Sequence, residues 1–266
     1  MSELLTVSNI TKVYESGKRK VVGVQDISFS VKKGEFISVI GPSGCGKSTL
    51  LRCIAGFEKT NKGSISLDGE KVKKPGPNRF MVFQGLDQLF PWLTLKENIV
   101  FAMKVVEKSQ GNLERKAEYY LELVGLEGFR DFYPYQLSGG MKQRASIARA
   151  LSVRPKLLLM DEPFGSLDAF TRRTIHQMLL KVWQKTGVTI IFVTHDIEEA
   201  IDLSDKILIF SKGRLKGFIE NHLPRPRERN ISAYRSFLLR VSNLLEEETG
   251  SLDSEELSAA EATLAF

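Results

Sequence analysis

Phe36-Ile37-Ser38-Val39-Ile40-Gly41-Pro42-Ser43-Gly44-Cys45-Gly46-Lys47-Ser48-Thr49 decides how this chain folds. A run of strand length and mostly apolar character ends in Gly41-x-x-x-x-Gly46-Lys47-Ser48, and a helical pattern follows. This is the GxxxxGK[ST] phosphate loop in the strand–loop–helix setting that gives the motif its meaning. Glycines let the backbone curl so that its N–H groups face phosphate oxygens, and the positive end of the following helix adds to the attraction. Lys47 is expected to reach the terminal phosphates, and Ser48 to ligate a divalent cation.

Working outward, a second apolar run, Leu157-Leu158-Leu159-Met160, delivers Asp161 and Glu162. In an open α/β sheet, ligands sit at the C-terminal ends of the strands, so these two acids are expected beside the phosphate loop. Asp161 suits a cation through its water shell, and Glu162 suits a general base. A third run, Thr189-Ile190-Ile191-Phe192-Val193, leads into Thr194-His195-Asp196. The last two runs, apolar throughout, read as parallel strands covered on both faces. The first part of the chain is β-rich, with Leu5–Val7, Ile27–Val31 and a Gly63–Leu67 strand entering an Asp68-Gly69 turn. From about Pro91 the pattern turns helical. Thr94 and Glu97 have capping-box spacing, and a later helix is expected from about Ser138 to before Pro155. Helix is also expected around Arg172–Lys185, and a strand at Lys206–Phe210 with a Ser211–Arg214 turn. An α/β core thus encloses a helical insertion.

The formal net charge is +6, yet residues from Glu246 onward carry acids and no bases, leaving the rest of the chain near roughly +13. A basic body suits nucleotide phosphates, nucleic acid or anionic headgroups without choosing among them. No run is long enough to span a bilayer and no leader pattern opens the chain. Cys45 and Cys53 make no disulfide framework, so a reducing cytoplasm is expected. Cys45, at a helix N-terminus beside Lys47, is expected to favour the thiolate. Pro224-Arg225-Pro226-Arg227 reads as a stiff basic linker. After it, Ile231, Tyr234, Phe237, Leu238, Val241, Leu244 and Leu245 share one helical face. The tail from residue 250 has the composition of a disordered segment.

Phosphate loops serve many enzymes. The discriminating string is Leu137-Ser138-Gly139-Gly140-Met141-Lys142-Gln143-Arg144, which resembles the signature loop of ATP-binding cassette (ABC) ATPases. The resemblance covers roughly residues 4–220. It implies a P-loop nucleotide-hydrolase fold of the α/β class, a mixed sheet with flanking helices. An antiparallel β-subdomain and an inserted helical subdomain at about 90–155 complete it, as in ABC nucleotide-binding domains. On this reading the domain spans 4–222, the linker and amphipathic helix 223–249, and the acidic tail 250–266.

The resemblance further implies ATP and Mg²⁺ as cofactors and assigns roles residue by residue. Tyr14 stacks on adenine. Gly41, Pro42, Ser43, Gly44, Cys45, Gly46, Lys47, Ser48 and Thr49 hold the phosphates. Ser48, Gln84 and Asp161 attend the metal. Glu162, His195 and Gln84 act in catalysis, Glu162 as base and His195 as a γ-phosphate switch. Ser138, Gly139 and Gly140 complete the site of a second subunit, and Asp168 lies in the loop that crosses to it. That second subunit is a copy of the chain or a paralogous ATPase.

Leu89-Phe90-Pro91-Trp92-Leu93-Thr94 is similar to a segment of importer ATPases for nitrate, sulfonates, taurine and bicarbonate. It implies a membrane permease contacted near Phe90 and Trp92 in a helix-in-groove manner. A solute-binding protein in the complete system, a place on the cytoplasmic face of the membrane, and no nucleic-acid partner follow from the same likeness. An exporter or lipid-transport ATPase, or a soluble ABC ATPase without a permease, shares the same catalytic motifs.

Overall fold

The structure, a computed structural model, describes residues 2–17, 19–106 and 111–246. The chain opens with β1 (Glu3–Ser16), β2 (Arg19–Lys32) and β3 (Phe36–Ile40), then α1 (Lys47–Ala55), β4 (Lys62–Leu67), β5 (Glu70–Lys71) and β6 (Arg79–Val82). Helices follow: α2 (Leu95–Val106), α3 (Leu113–Leu123), two short 3-10 turns, and α4 (Gly139–Ser152). The chain then alternates through β7 (Leu157–Asp161), α5 (Ala169–Thr186), β8 (Thr189–Val193), α6 (Ile197–Leu203), β9 (Lys206–Ser211) and β10 (Arg214–Glu220). A last helix, α7, occupies 232–246. The acidic tail anticipated from residue 250 lies outside the described residues.

Two sheets organise these elements. One has order β2-β1-β4-β5 and is antiparallel; the other has order β10-β9-β3-β8-β7-β6. In the second, β9, β3, β8, β7 and β6 run parallel and β10 closes the edge antiparallel. β3, β7 and β8 are buried at every position, as continuous apolar runs should be when both faces are covered. Phe36, Leu158 and Phe192 face α2–α5, while Ile37, Val39, Leu159 and Ile191 face α1 and the antiparallel sheet. The C-terminal ends of β3, β7 and β8 therefore emerge together, each with a functional loop.

The insertion is helical because its ends are capped locally. Thr94 Oγ1 accepts from the Glu97 N–H at 3.2 Å, and Glu97 Oε2 accepts from the Thr94 N–H at 2.8 Å, so the capping box forms. Ser138 caps α4, which ends at Ser152 ahead of Pro155, with Arg154 at positive φ leading into β7.

The Pro-Arg segment is no free linker. The Arg225 guanidinium lies 4.6 Å over the Trp183 ring and donates to Asp205 and the Leu203 carbonyl. Arg227 donates to the carbonyls of Ile201 and Leu223, and burial pulls its pKa down to about 10. Each arginine finds acceptors on the cassette, so the segment runs as a strap along it. α7 then packs Tyr234 and Val241 against Ala200, Ile201, Ile207 and Ile209. Burying a side chain of that size contributes about 1.5–3 kcal/mol. Ile231, expected on the same face, is instead 37% exposed at the start of the helix.

Candidate functional site

The site grows from the N-terminus of α1. Gly46 sits there at φ 104, and a Cβ on it would come 2.1 Å from the Gly23 carbonyl oxygen, so the position accepts only glycine. No side chain caps the helix, which leaves its first-turn N–H groups for an anion. Ser43 and Gly44 form the turn, closed by the Cys45 N–H on the Pro42 carbonyl at 3.4 Å. Lys47 is 4% exposed, and its ammonium donates to the carbonyls of Gly41 and Pro42, both at 2.8 Å. From there it lies 4.0 Å from Glu162 Oε1. Tyr14, on β1, donates from its hydroxyl to Thr49 Oγ1 at 3.5 Å, which sets the ring beside the first turn of α1.

β7 brings Asp161 to the same place, 5% exposed, where its Oδ1 accepts from the Ser48 hydroxyl at 3.0 Å. Burial pushes the Asp161 carboxyl above its ordinary value, against the opposing pull of the Ser48 hydrogen bond, and the Glu162 charge adds to the rise. A desolvated carboxylate beside a hydroxyl is the oxygen donor set that a hard divalent cation takes. Glu162 follows at φ 42, a left-handed conformation that costs a non-glycine residue about 1–3 kcal/mol and is held by its N–H on the Val193 carbonyl at 3.0 Å. That twist turns its carboxylate out of the sheet toward His195, whose Nδ1 lies 3.1 Å from Oε2. His195 is 58% exposed at its side chain, so one face of the pair opens to solvent.

The sequence-derived residues thus divide. Tyr14, Lys47, Ser48, Thr49, Asp161, Glu162 and His195 form one contiguous set. Gln84 follows β6 and is exposed; its neighbour Gln88, which sequence reasoning passed over, ties the loop by hydrogen bonds with the backbone of Phe83 and Gly85. Asp168 caps α5 by accepting from the Thr171 N–H at 2.9 Å. Ser138 caps α4 by accepting from the Met141 N–H at 3.3 Å. No hydrogen bond or ion pair among the described residues joins Ser138, Gly139 or Gly140 to the Lys47 set. Gly140 is small for a local reason as well: a Cβ there would meet Thr171 Cγ2 at 2.4 Å.

Cys45 departs from expectation. It is buried, and desolvation raises its pKa despite the opposing Lys47 charge, so the neutral thiol is favoured.

A groove of about 940 Å³ lies beside Gln84, lined by Phe57, Pro75, Phe83, Val105 and Arg149. Phe90 and Trp92, expected to line such a groove, stand outside its lining. They pack on each other at 5.5 Å, Arg149 lies 5.5 Å over the Phe90 ring, and Trp92 is 70% exposed. A separate cleft of about 620 Å³ at the opposite ends of the strands is rich in cations. There Lys156 pairs with Asp68, Lys185 sits 5.2 Å over the Tyr119 ring, and α4 and α5 end with their carbonyls. No helix among the described residues is long and apolar enough to cross a membrane.

With this geometry in place, comparison with known proteins gives a consistent result. The family model described as ABC transporter matches residues 24–165. An ABC transporter ATP-binding protein of uncharacterised role from Methanocaldococcus jannaschii is 43% identical over 250 residues, covering 93% of each chain. An aliphatic sulfonates import ATP-binding protein of Bacillus cereus is 44% identical, covering 89% of this chain and 94% of its own. A bicarbonate transport ATP-binding protein of Synechocystis is 46% identical over 86% of this chain, which spans 35% of that longer protein. Among solved structures, a dimeric bacterial ABC transporter cassette superposes with a TM-score of 0.73 at 32% identity, covering 85% of this chain and all of that one. A cassette of a Clostridium perfringens ABC transporter complex superposes at 0.76 and 26% identity, covering 92% and 98%.

Proposed function

The chain belongs to the ABC transporter family and is an ATP hydrolase; from that premise we propose that it powers import of a small anionic solute through a separate permease, as a dimer with two composite ATP sites. The observation that carries the two-site reading is the split just described. Lys47, Ser48, Asp161, Glu162 and His195 gather at one helix end, while among the described residues no hydrogen bond or ion pair joins the Ser138 helix end to them. The dimer is formed with a copy or a paralogue, and Ser138, Gly139 and Gly140 of one subunit close over the ATP held by the other.

In each site Tyr14 takes the adenine and the Gly41–Thr49 loop takes the phosphates. Ser48 and Asp161 would hold Mg²⁺, with Gln84 joining on closure; the cation's contribution is to offset charge on the β- and γ-phosphates. Glu162 accepts the proton of the water that attacks the γ-phosphorus as the bond to the β-phosphate oxygen breaks. His195 donates toward the γ-phosphate and steadies Glu162. Asp168 lies on the loop facing the second subunit.

The importer class rests on the likeness to proteins named for sulfonate, bicarbonate and nitrate import. The permease seat is the groove between Phe57, Phe83 and Val105, whose Arg149 also lies over the Phe90 ring packed on the exposed Trp92, and the chain works at the cytoplasmic face of the membrane. A solute-binding protein belongs to the complete system. The test is a membrane pull-down with tagged Glu162→Gln protein and ATP. Recovery of a polytopic permease with a solute-binding protein is expected. Recovery of soluble partners alone would leave the ATPase standing and overturn the transport role.

A further inference from the structure

Among the described residues the His195 side chain hydrogen-bonds Glu162 alone, so its place depends on the backbone turn that carries it. That turn is bonded internally. Thr194 Oγ1 accepts from the Asp196 N–H at 3.0 Å and donates to Glu199 Oε2 at 2.5 Å, while Asp196 caps α6 through the Glu199 N–H at 3.1 Å. A side chain from another element reaches both acids of this turn. Arg172, on α5, places Nη1 3.5 Å from Asp196 Oδ2 and Nε 3.6 Å from Glu199 Oε1. Its Nη2 donates to the Leu167 carbonyl at 3.0 Å, in the loop that ends at Asp168. A small cavity shows the adjacency: Glu162, His195, Arg172 and Glu199 all line it.

We propose that Arg172 is a positioning residue for hydrolysis, fastening the Leu167 loop to the Thr194–Asp196 turn and so setting His195 against Glu162. The proposal deepens the reading of Glu162 and His195 as reacting groups and rests on it. The physical case is one of geometry and charge. Glu199 is buried with His176 Nε2 at 3.2 Å from its other side. Burial alone would raise its pKa, yet the bonds from His176 and Thr194 and the charges of His176 and Arg172 leave it below the ordinary value. An anion so held anchors α6, and Arg172 connects that anchor to the loop before α5. The planar Arg172 guanidinium hydrogen-bonds Asp196 and the Leu167 carbonyl at once, with Glu199 at ion-pair distance from an Nε that makes no hydrogen bond; a lysine ammonium is a point charge and does not span that gap. Among the described residues no hydrogen bond or ion pair joins Arg172 to the phosphate loop or to Tyr14, so ATP binding should not depend on it.

The experiment compares full-length wild type with Arg172→Gln, Arg172→Lys, His195→Ala and the Arg172→Gln/His195→Ala pair, by ATP turnover, KM and thermal melting. Each Arg172 variant is expected to lower kcat by about 10- to 100-fold, the scale of a misplaced reacting group, with KM within about two-fold. In the His195→Ala background, Arg172→Gln is expected to add less than about two-fold, because the residue acts through His195. Should Arg172→Gln fold poorly, Arg172→Lys decides alone. Wild-type kcat in the lysine variant, or independent multiplication of the two losses, overturns the proposal. Wild-type kcat in His195→Ala itself overturns the site reading beneath it.

Discussion

The N-termini of α1 and α4 differ in what closes them. At α1 the capping position is Gly46, no side chain is spent on the helix, and Lys47, Ser48, Asp161 and Glu162 surround the open end. At α4 the Ser138 hydroxyl closes on its own helix, and the nearest recorded charge pair is Lys142 with the exposed Asp87. One end therefore carries cation, acid and base together, and the other carries donors without chemistry. Two unlike halves on one chain are what a composite site formed by two chains needs, since each supplies what the other lacks. Local packing reinforces the contrast: Gly46 is forced by the Gly23 carbonyl within the site, Gly140 by Thr171 outside it.

The largest effect is expected where the two ends are separated by mutation. Lys47→Ala removes the phosphate contact and Ser138→Arg blocks the other end, and each homogeneous protein should be inactive. Mixed together, they restore one intact site if Ser138 acts across the dimer, because the Lys47 of one chain meets the Ser138 of its partner. Activity in the mixture, absent from both parents, is the expected result. A silent mixture would place both ends in service of the same chain's ATP. A smaller effect follows at Glu162, the carboxylate proposed as base. Glu162→Gln should bind ATP and lose about 10²-fold or more of turnover, the usual scale for a general base. Hydrolysis at the wild-type rate would remove Glu162 from that role.

How far the sequence foretold this arrangement depends on length and continuity. β3, β7 and β8 were legible to the residue or nearly so, because each is an unbroken buried run bounded by a glycine or an acid. β6, with four residues, and α6, with seven, are too short for a periodic pattern to show. β10 alternates in burial, but Gly217 and the exposed Phe218 break the alternation in its sequence. β1 and β2 were seen only in part, since bulges shift their register near Asn9 and Asp26, both at positive φ, and break the alternation. The Lys47 and Glu162 sets were legible because their spacing is local. Arg172, Glu199 and His176 were not singled out, because their meeting depends on how α5 and α6 pack, and no short motif records that. Packing of the Pro-Arg segment on the cassette was legible in outline, but not its acceptors: those on Ile201, Leu203 and Asp205 lie some twenty or more residues upstream.

The smallest effect sharpens the comparison at α1 itself, where an open helix end and Lys47 argue for a thiolate at Cys45 and burial argues against. Burial wins in the balance, with the Glu162 charge on its side. Alkylation of Cys45 should accordingly be slow at neutral pH and still be climbing above the ordinary thiol range of about 8.5. Cys53, fully buried and pushed up to about 11, should label more slowly still, so peptide mapping separates the two. ATP should protect Cys45, since phosphates would occupy the loop whose N–H groups surround it. A labelling rate that levels off below pH 8 would mean that the helix end and Lys47 outweigh desolvation. The open terminus of α1 would then stabilise anions by more than its burial costs them, and the contrast with α4 would be larger than the geometry alone conveys.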